Sequence, residues 1–264
     1  MIKAAVLGSP IGHSLSPALH KRAYEILKVP ASYGAIELTP QHTKEFFEKA
    51  LEEDWTGFSL TMPLKESIFD LNFKIDPMAL RMRSANTLIK ENETFYATST
   101  DRTGFIRLFE GVTPRRTAII GGGGTARAAL GALDGVAENV DFLLRSPTRA
   151  TLLATIAQKT KVNFFDMAHS LRGYDLVIAT VPSGASDQIA ESLDFTIPTF
   201  CEVLYNPYPT PLLAKARSLG SQTIDGIDLL VEQAMDQVSL FTGESLDFTE
   251  MRVALQAVGR SHLL

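Results

Sequence analysis

Cysteine is all but missing from this 264-residue chain, where Cys201 stands alone. One thiol excludes an intramolecular disulfide framework and any metal site built from several cysteines, and no metal is expected. No apolar run approaches the ~20 residues needed to cross a bilayer. A basic excess is lacking too: 25 Lys and Arg against 30 Asp and Glu leave a net charge of −5. Broad binding to nucleic acid or to an anionic membrane therefore has no electrostatic basis. What is present is 45% hydrophobic and 21% charged residues, the balance of a globular chain with a sizeable core rather than of a disordered one. At roughly 100–200 residues per domain, the length allows one domain or two. The short apolar start, Met1–Gly8, is stopped by Ser9-Pro10 and reads as a strand rather than a signal peptide, so a cytoplasmic protein is expected.

Short apolar or β-branched runs alternate with helical spacing along the chain. Strands are expected at 4–7, 32–38 and 56–61, and a hairpin joins 86–90 to 94–98 across Glu91-Asn92-Glu93. Ser16-Pro17 opens a helix, with the serine as cap and the proline in the first turn. Leu19, Ala23, Ile26 and Leu27 follow at helical spacing. Thr39-Pro40 begins a second helix, Pro63 stops the third strand, and a further helix runs from Asp101 to about Phe109. Beyond this, strands at 117–120, 140–144, 176–179 and 199–203 alternate with helices after the glycines at 121–124, after Pro147 and at 212–219. Such a rhythm belongs to a parallel, helix-covered sheet. The stretch after Gly226 is mostly helical, and no repeat or flexible linker occurs, so any domain boundary falls within a helix or tight turn.

Ile120-Gly121-Gly122-Gly123-Gly124-Thr125-Ala126 holds G-x-G-x-x-A between a strand and a helix, the setting of a dinucleotide fingerprint. Gly121 permits the tight turn, Gly123 lets backbone approach a pyrophosphate, and Ala126 allows close helix–strand packing. The helix N-terminus offers amides and the positive end of its dipole. A purely structural glycine turn is the alternative. The next strand ends in Arg145 and Arg149 where an NAD site would place an acid. Two guanidinium groups suit a 2′-phosphate, which favours NADP over NAD. From these residues alone, two solvated arginines at a helix start read slightly better.

In the first hundred residues, Ser14 and Ser16 place two hydroxyls at a strand-to-helix turn, able to bind a carboxylate or merely to cap the helix. Thr61-Met62-Pro63-Leu64-Lys65 puts a lysine just beyond a strand, and Asp101 begins a helix after another. Taken singly, a Lys/Asp pair is usually a solvated surface pair.

The joint pattern is more informative. Gly8-x-Pro10-Ile11-x-His13-Ser14-x-Ser16-Pro17-x-x-His20 resembles the signature of the shikimate dehydrogenase family. So do Thr61-x-Pro63-x-Lys65, Asn86-Thr87, Thr100-Asp101-x-x-Gly104, the glycine turn, Tyr205-x-Pro207-x-x-Thr210-Pro211-Leu212-Leu213 and Gly226-x-x-x-Leu230-x-x-Gln233-Ala234. The likeness implies reversible reduction of 3-dehydroshikimate to shikimate with NADPH, a step toward chorismate and the aromatic amino acids. It implies Lys65 and Asp101 as the catalytic pair, and Ser14 and Ser16 on the substrate carboxylate. Thr61, Asn86, Tyr205 and Gln233 would complete the pocket. Gly121, Gly122, Gly123, Gly124, Thr125 and Ala126 would hold the pyrophosphate, and Arg145 with Arg149 the 2′-phosphate. Chemistry agrees, because an ammonium beside a carbonyl that receives hydride stabilises the developing charge and can deliver the proton.

The implied fold is α/β with two domains. A substrate domain with a mixed, mostly parallel sheet spans 1–103 and is completed by 229–264; a Rossmann-like NADP-binding domain spans 104–228, with the site in the cleft between them. Small-molecule partners and a monomer or homodimer are expected, with neither nucleic acid nor membrane. Ser59 and Ser99 stand where the family usually has asparagine, Leu144 and Ala179 replace further asparagines, and Glu202 stands where aspartate is common. These departures leave open a paralogue acting on quinate or an aminoshikimate, possibly with NAD. A non-catalytic nucleotide- and shikimate-binding regulator is the reading from another class, and Lys65 with Asp101 argues against it. A plain dinucleotide-binding module would make the two-serine turn and the Lys65 segment coincidences.

Overall fold

The computed structural model describes residues 1–263, and these fall into two compact units. One comprises Met1–Thr103 with Leu230–His262, the other Gly104–Leu229.

The first unit contains β1 (Ile2–Gly8), α1 (Ser16–Leu27), β2 (Ala31–Glu37), α2 (Thr43–Glu52), β3 (Gly57–Leu60), β4 (Lys74–Ile75), α3 (Pro77–Met82), β5 (Thr87–Glu91) and β6 (Thr94–Thr98), and α4 (Thr100–Leu108) begins in it. Its sheet has the order β2-β1-β3-β5-β6-β4. β1 pairs in parallel with β2 and β3, β5 runs antiparallel to β3 and β6, and β4 is parallel to β6. The sheet is thus mixed. Phe58, fully buried on β3, centres the core, with the rings of Phe46, Phe47, Trp55 and Phe95 at 4.7–5.7 Å in tilted or edge-on arrangements, the geometry that aromatic quadrupoles favour.

Ser16 does not cap α1. Leu15 occupies the cap position with no side-chain hydrogen bond, and Ser16 and Pro17 are the first helical residues. Proline's fixed φ suits the first turn, so the boundary falls one residue before the expected cap. The helix expected from Thr39-Pro40 starts instead as a 3₁₀ turn, Pro40–His42, that leads into α2. β4 and α3 carry no clear apolar period and were not expected. α3 is set by Asp76, whose carboxylate accepts from the amides of Met78 and Ala79 just ahead of Pro77.

The second unit contains β7 (Arg116–Ile120), α5 (Gly124–Leu133), β8 (Asn139–Leu143), α6 (Ala150–Ile156), β9 (Lys161–Phe165), β10 (Leu176–Ala179), α7 (Asp187–Ser192), β11 (Thr199–Glu202), α8 (Pro211–Ser218) and β12 (Gln222–Ile224). All six strands are parallel, in the order β12-β11-β10-β7-β8-β9. β7 lies at the point where the strand order reverses, and the glycine turn leaves its carboxyl end, the place where open α/β sheets collect ligands. The central strands β7, β8, β10 and β11 are almost wholly buried, which is why they read as continuous apolar runs. β9 is a half-exposed edge strand and β12 is a three-residue edge strand; neither is legible as an apolar run.

Two long helices, α9 (Gly226–Thr242) and α10 (Phe248–Ser261), end the described chain, and α10 packs on α1. The divisions between units fall inside α4 and α9.

Candidate active site

β3 ends at Leu60, and the chain turns through Leu64–Glu66, a 3₁₀ turn pinned by the fully buried Leu64. Lys65 therefore projects from the end of the strand, and its carbonyl accepts from the Ala85 amide at 3.0 Å. Asp101 lies in the first turn of α4, where the helix dipole favours a carboxylate. Lys65 Nζ donates to Asp101 Oδ2 at 2.6 Å, with the lysine side chain 17% and the aspartate 5% exposed. A shielded, hydrogen-bonded ion pair of this kind is far from a solvated surface pair.

Asn86 fixes the carboxylate from the other side. Its Nδ2 donates to Asp101 Oδ1 at 2.9 Å, to Thr100 Oγ1 at 2.9 Å and to Gln233 Oε1 at 3.2 Å, three acceptors sharing two hydrogens. Its Oδ1 accepts from the Thr100 amide at 2.7 Å. Lys65, Asn86, Asp101 and Gln233 are thus brought together within the first unit, although 147 positions separate Asn86 from Gln233 in sequence.

The two-serine turn belongs to the same unit. The Ser14 hydroxyl accepts from the Ser16 amide at 3.3 Å, and Ser16 is buried. Thr61 follows β3 directly, its amide bonded to the Leu7 carbonyl at 2.9 Å. His20, one turn into α1, bonds through Nδ1 to the Ser16 carbonyl at 2.9 Å and stacks on Tyr33 with ring centroids 3.8 Å apart. Burial lowers its pKa from 6.5 to about 4, against the opposing pull of that carbonyl; the imidazole is therefore neutral, with Nδ1 as the donor. Burial likewise pushes the Tyr33 phenol well above its ordinary value, while the hydroxyls of Ser59 and Ser16 act in the opposite direction. The phenol donates to Ser59 Oγ at 2.6 Å.

The second unit holds the glycine turn. Gly121 has φ +107°, and a Cβ there would lie 2.6 Å from Thr180 Oγ1, so only glycine is accommodated. Gly123 is the N-cap of α5, and the positive end of that helix's dipole suits an anion. Ala126 is fully buried against the sheet. Arg149 donates from Nη1 to the Gly122 carbonyl at 3.0 Å, and Arg145 is exposed beside it in the loop after β8. Gly121 to Ala126 with the two arginines fit a phosphorylated dinucleotide. Tyr205 lies apart from the other substrate candidates in the chain's organisation, on the loop after β11 in this second unit. At the base of that loop the buried Glu202 accepts from Thr210 Oγ1 at 3.0 Å. Burial raises the Glu202 pKa from 4.5 to about 7, opposed by the Thr210 hydroxyl and the Leu204 amide.

Comparison with known proteins bears on this arrangement. Residues 6–88 match the family model described as the shikimate dehydrogenase substrate binding domain. A shikimate dehydrogenase (NADP(+)) of Exiguobacterium sibiricum is 31% identical over 247 residues, 92% of this chain and 93% of that protein. The chain belongs to the shikimate dehydrogenase family. Among solved structures, the shikimate dehydrogenase of Mycobacterium tuberculosis is 30% identical with a TM-score of 0.88, covering 97% of this chain and 100% of that one. The shikimate 5-dehydrogenase of Thermus thermophilus, in complex with NADP(H) and shikimate, is 27% identical with a TM-score of 0.84 and covers 98% and 100% of the two chains.

Two of this chain's departures from the family pattern have distinct surroundings. Ser59 is hydrogen-bonded on both sides, whereas the buried Ser99 hydroxyl has no partner among the described residues. Sequence reasoning singled out neither Thr100 nor Gln237 as site residues. Gln237 follows Gln233 by four positions on α9, a spacing that puts both amides on one face and was the available signal.

Proposed function

We propose that this chain catalyses the reversible reduction of 3-dehydroshikimate to shikimate with NADP(H), a step in making chorismate and the aromatic amino acids. The observation that carries the reading is the Lys65–Asp101 contact, held in place by Asn86. NADP, when bound, supplies or accepts the hydride. Lys65 Nζ stabilises the negative charge that develops on the substrate oxygen and hands over the proton, while Asp101 orients the ammonium. In the reverse direction Lys65 must first lose a proton to solvent, and as the neutral amine it then takes the proton from the substrate hydroxyl. Ser14 and Ser16 donate their hydroxyls to the substrate carboxylate. Thr61, Asn86, Gln233 and Tyr205 bind its hydroxyl groups, and the Asn86–Gln233 contact, the longest of the three that Asn86 Nδ2 makes, is the one a substrate hydroxyl replaces. Gly121, Gly122, Gly123, Gly124, Thr125 and Ala126 hold the pyrophosphate, and Arg145 and Arg149 the 2′-phosphate.

By this reading, residues 1–103 with 229–264 form the substrate domain and 104–228 the NADP domain, in a cytoplasmic monomer or homodimer whose partners are small molecules. The deciding experiment incubates purified protein with shikimate and NADP+ and follows the reduced-nicotinamide absorbance. Turnover is expected, with NADP+ preferred over NAD+ and shikimate over quinate. Absence of NADP+ reduction with shikimate would refute the assignment.

A further inference from the structure

Gln237 lies on α9 four residues after Gln233 and is fully buried. Its amide is satisfied on three sides within the first unit. Nε2 donates to the Asn86 carbonyl at 3.2 Å and to Thr87 Oγ1 at 3.0 Å, and Oε1 accepts from Ser59 Oγ at 2.7 Å. Each partner leads to a different part of the candidate site. Asn86 and Thr87 lead to the catalytic end: Thr87 Oγ1 lies 3.1 Å from Thr100 Oγ1 and 3.2 Å from Asn86 Oδ1, and Asn86 bonds Asp101. Ser59 leads to the two-serine turn, through the Tyr33 phenol and the ring of His20 stacked on it, whose Nδ1 is bonded to the Ser16 carbonyl.

The hydrogen-bonded path thus runs from Lys65 and Asp101 through Asn86, Gln237, Ser59 and Tyr33, then crosses a ring stack to His20, whose Nδ1 is bonded to the Ser16 carbonyl. Ser59 lies opposite Thr87 in the β3–β5 pair, yet among the described residues its hydroxyl bonds only Tyr33 and Gln237. Gln237 reaches across from α9 and presents a carboxamide in front of the serine hydroxyl.

We propose that Gln237, paired with Ser59, is a positioning residue for the reaction: from α9 its carboxamide ties Ser59 to the Asn86–Thr87 segment, and so holds the carboxylate-binding and proton-transfer ends of the substrate site in register. The inference rests on the activity proposed above. It is not a proton relay, since the amide at its centre neither gains nor loses a proton; the effect is geometric. Loss of the Gln237 side chain takes from the buried Ser59 hydroxyl its only acceptor among the described residues, and one donor each from the Asn86 carbonyl and Thr87 Oγ1. Ser59 keeps the Tyr33 phenol and Thr87 keeps Thr100 and Asn86, but the Ser59 proton regains an acceptor only by movement. That movement reaches Asn86 on one side and Tyr33 on the other.

Steady-state kinetics of Gln237→Ala with shikimate and NADP+ test this. A loss of about tenfold or more in kcat/KM for shikimate is expected, with KM for NADP+ changed less than about twofold. Adding Ser59→Asn should recover most of the loss, because the longer amide then grows into the space that Gln237 vacates. Wild-type kcat/KM for shikimate in Gln237→Ala, a matching rise in KM for NADP+, or a double variant no better than the single one would each overturn the inference. Ser59→Ala breaks the link and leaves α9 intact, and the same shikimate-selective loss is expected of it, so the question is settled even if Gln237→Ala does not fold. Failure of the activity assignment itself shows separately, as wild-type protein that does not oxidise shikimate. In that event the pair is still read by a stability cycle, in which Ser59→Ala and Gln237→Ala together cost less than their sum if the residues are coupled, while additive losses overturn the pairing.

Discussion

Lys65 Nζ and Asp101 Oδ2 meet at 2.6 Å, with the two side chains 17% and 5% exposed. Most lysine–aspartate pairs on a protein surface contribute little, yet here both groups are shielded and a carboxamide grips the carboxylate's second oxygen. Lys65→Ala is expected to lower kcat on the order of 10²- to 10⁴-fold while NADP+ still binds, as judged by ligand-induced thermal stabilisation. Turnover like that of the wild type would remove the lysine from the mechanism. Glu202 permits a prediction of a different kind. Its carboxyl binds a proton more tightly in the folded protein, with a pKa of about 7, than at the ordinary value of 4.5. The stability this group contributes is full below about pH 4.5 and is lost as pH rises toward 7. Glu202→Gln, which cannot ionise, should therefore gain on the wild type across that window, by roughly 3 kcal/mol once the difference is fully developed, and hold level above it. Melting curves against pH check this; a constant offset at all pH values would show that burial does not control the group.

At the scale of elements, two sites depend on how a strand hands over to a helix. The turn from β7 to α5 needs the positive φ of Gly121 and tolerates no Cβ against Thr180. Gly121→Ala should raise KM for NADP+ at least about tenfold and leave shikimate binding intact, since the strain falls on the turn proposed to hold the pyrophosphate. Arg145→Ala should raise KM for NADP+ far more than for NAD+, because only the former carries the 2′-phosphate; equal effects on both cofactors would refute that role. The strands around this turn were legible because both their faces are buried, which leaves near-continuous apolar runs such as Leu176–Ala179. The short edge strands β4, β9 and β12 were not, since half-exposed positions tolerate polar residues and erase the period. The start of α1 was misjudged by one residue for a local reason: Pro17 is equally at home in the first or second helical position, and only backbone geometry shows that Leu15 is the cap.

For the whole molecule, the division into two compact units predicts that ligand effects separate. NADP+ should protect Lys65→Ala against thermal unfolding more than Arg145→Ala, and shikimate should protect Arg145→Ala more than Gln237→Ala. A ligand at 100 times its Kd stabilises by about 2.7 kcal/mol, enough to resolve as a melting shift. Protection lost for both ligands in every variant would show that the sites are not separable. The motifs and their order were present in the sequence, and the reaction class followed from their joint resemblance to a family, because Ser14, Ser16, Lys65, Asp101 and the glycine turn taken singly also fit a helix cap, a solvated ion pair and a structural turn. The tertiary structure alone decided which side chains meet. Gln237 reaches Ser59 across 178 positions and Asn86 across 151, and no local period records such a contact. It exists because α9 returns to the first unit and buries polar groups there, and a buried polar group must find its hydrogen-bond partner wherever the fold places one.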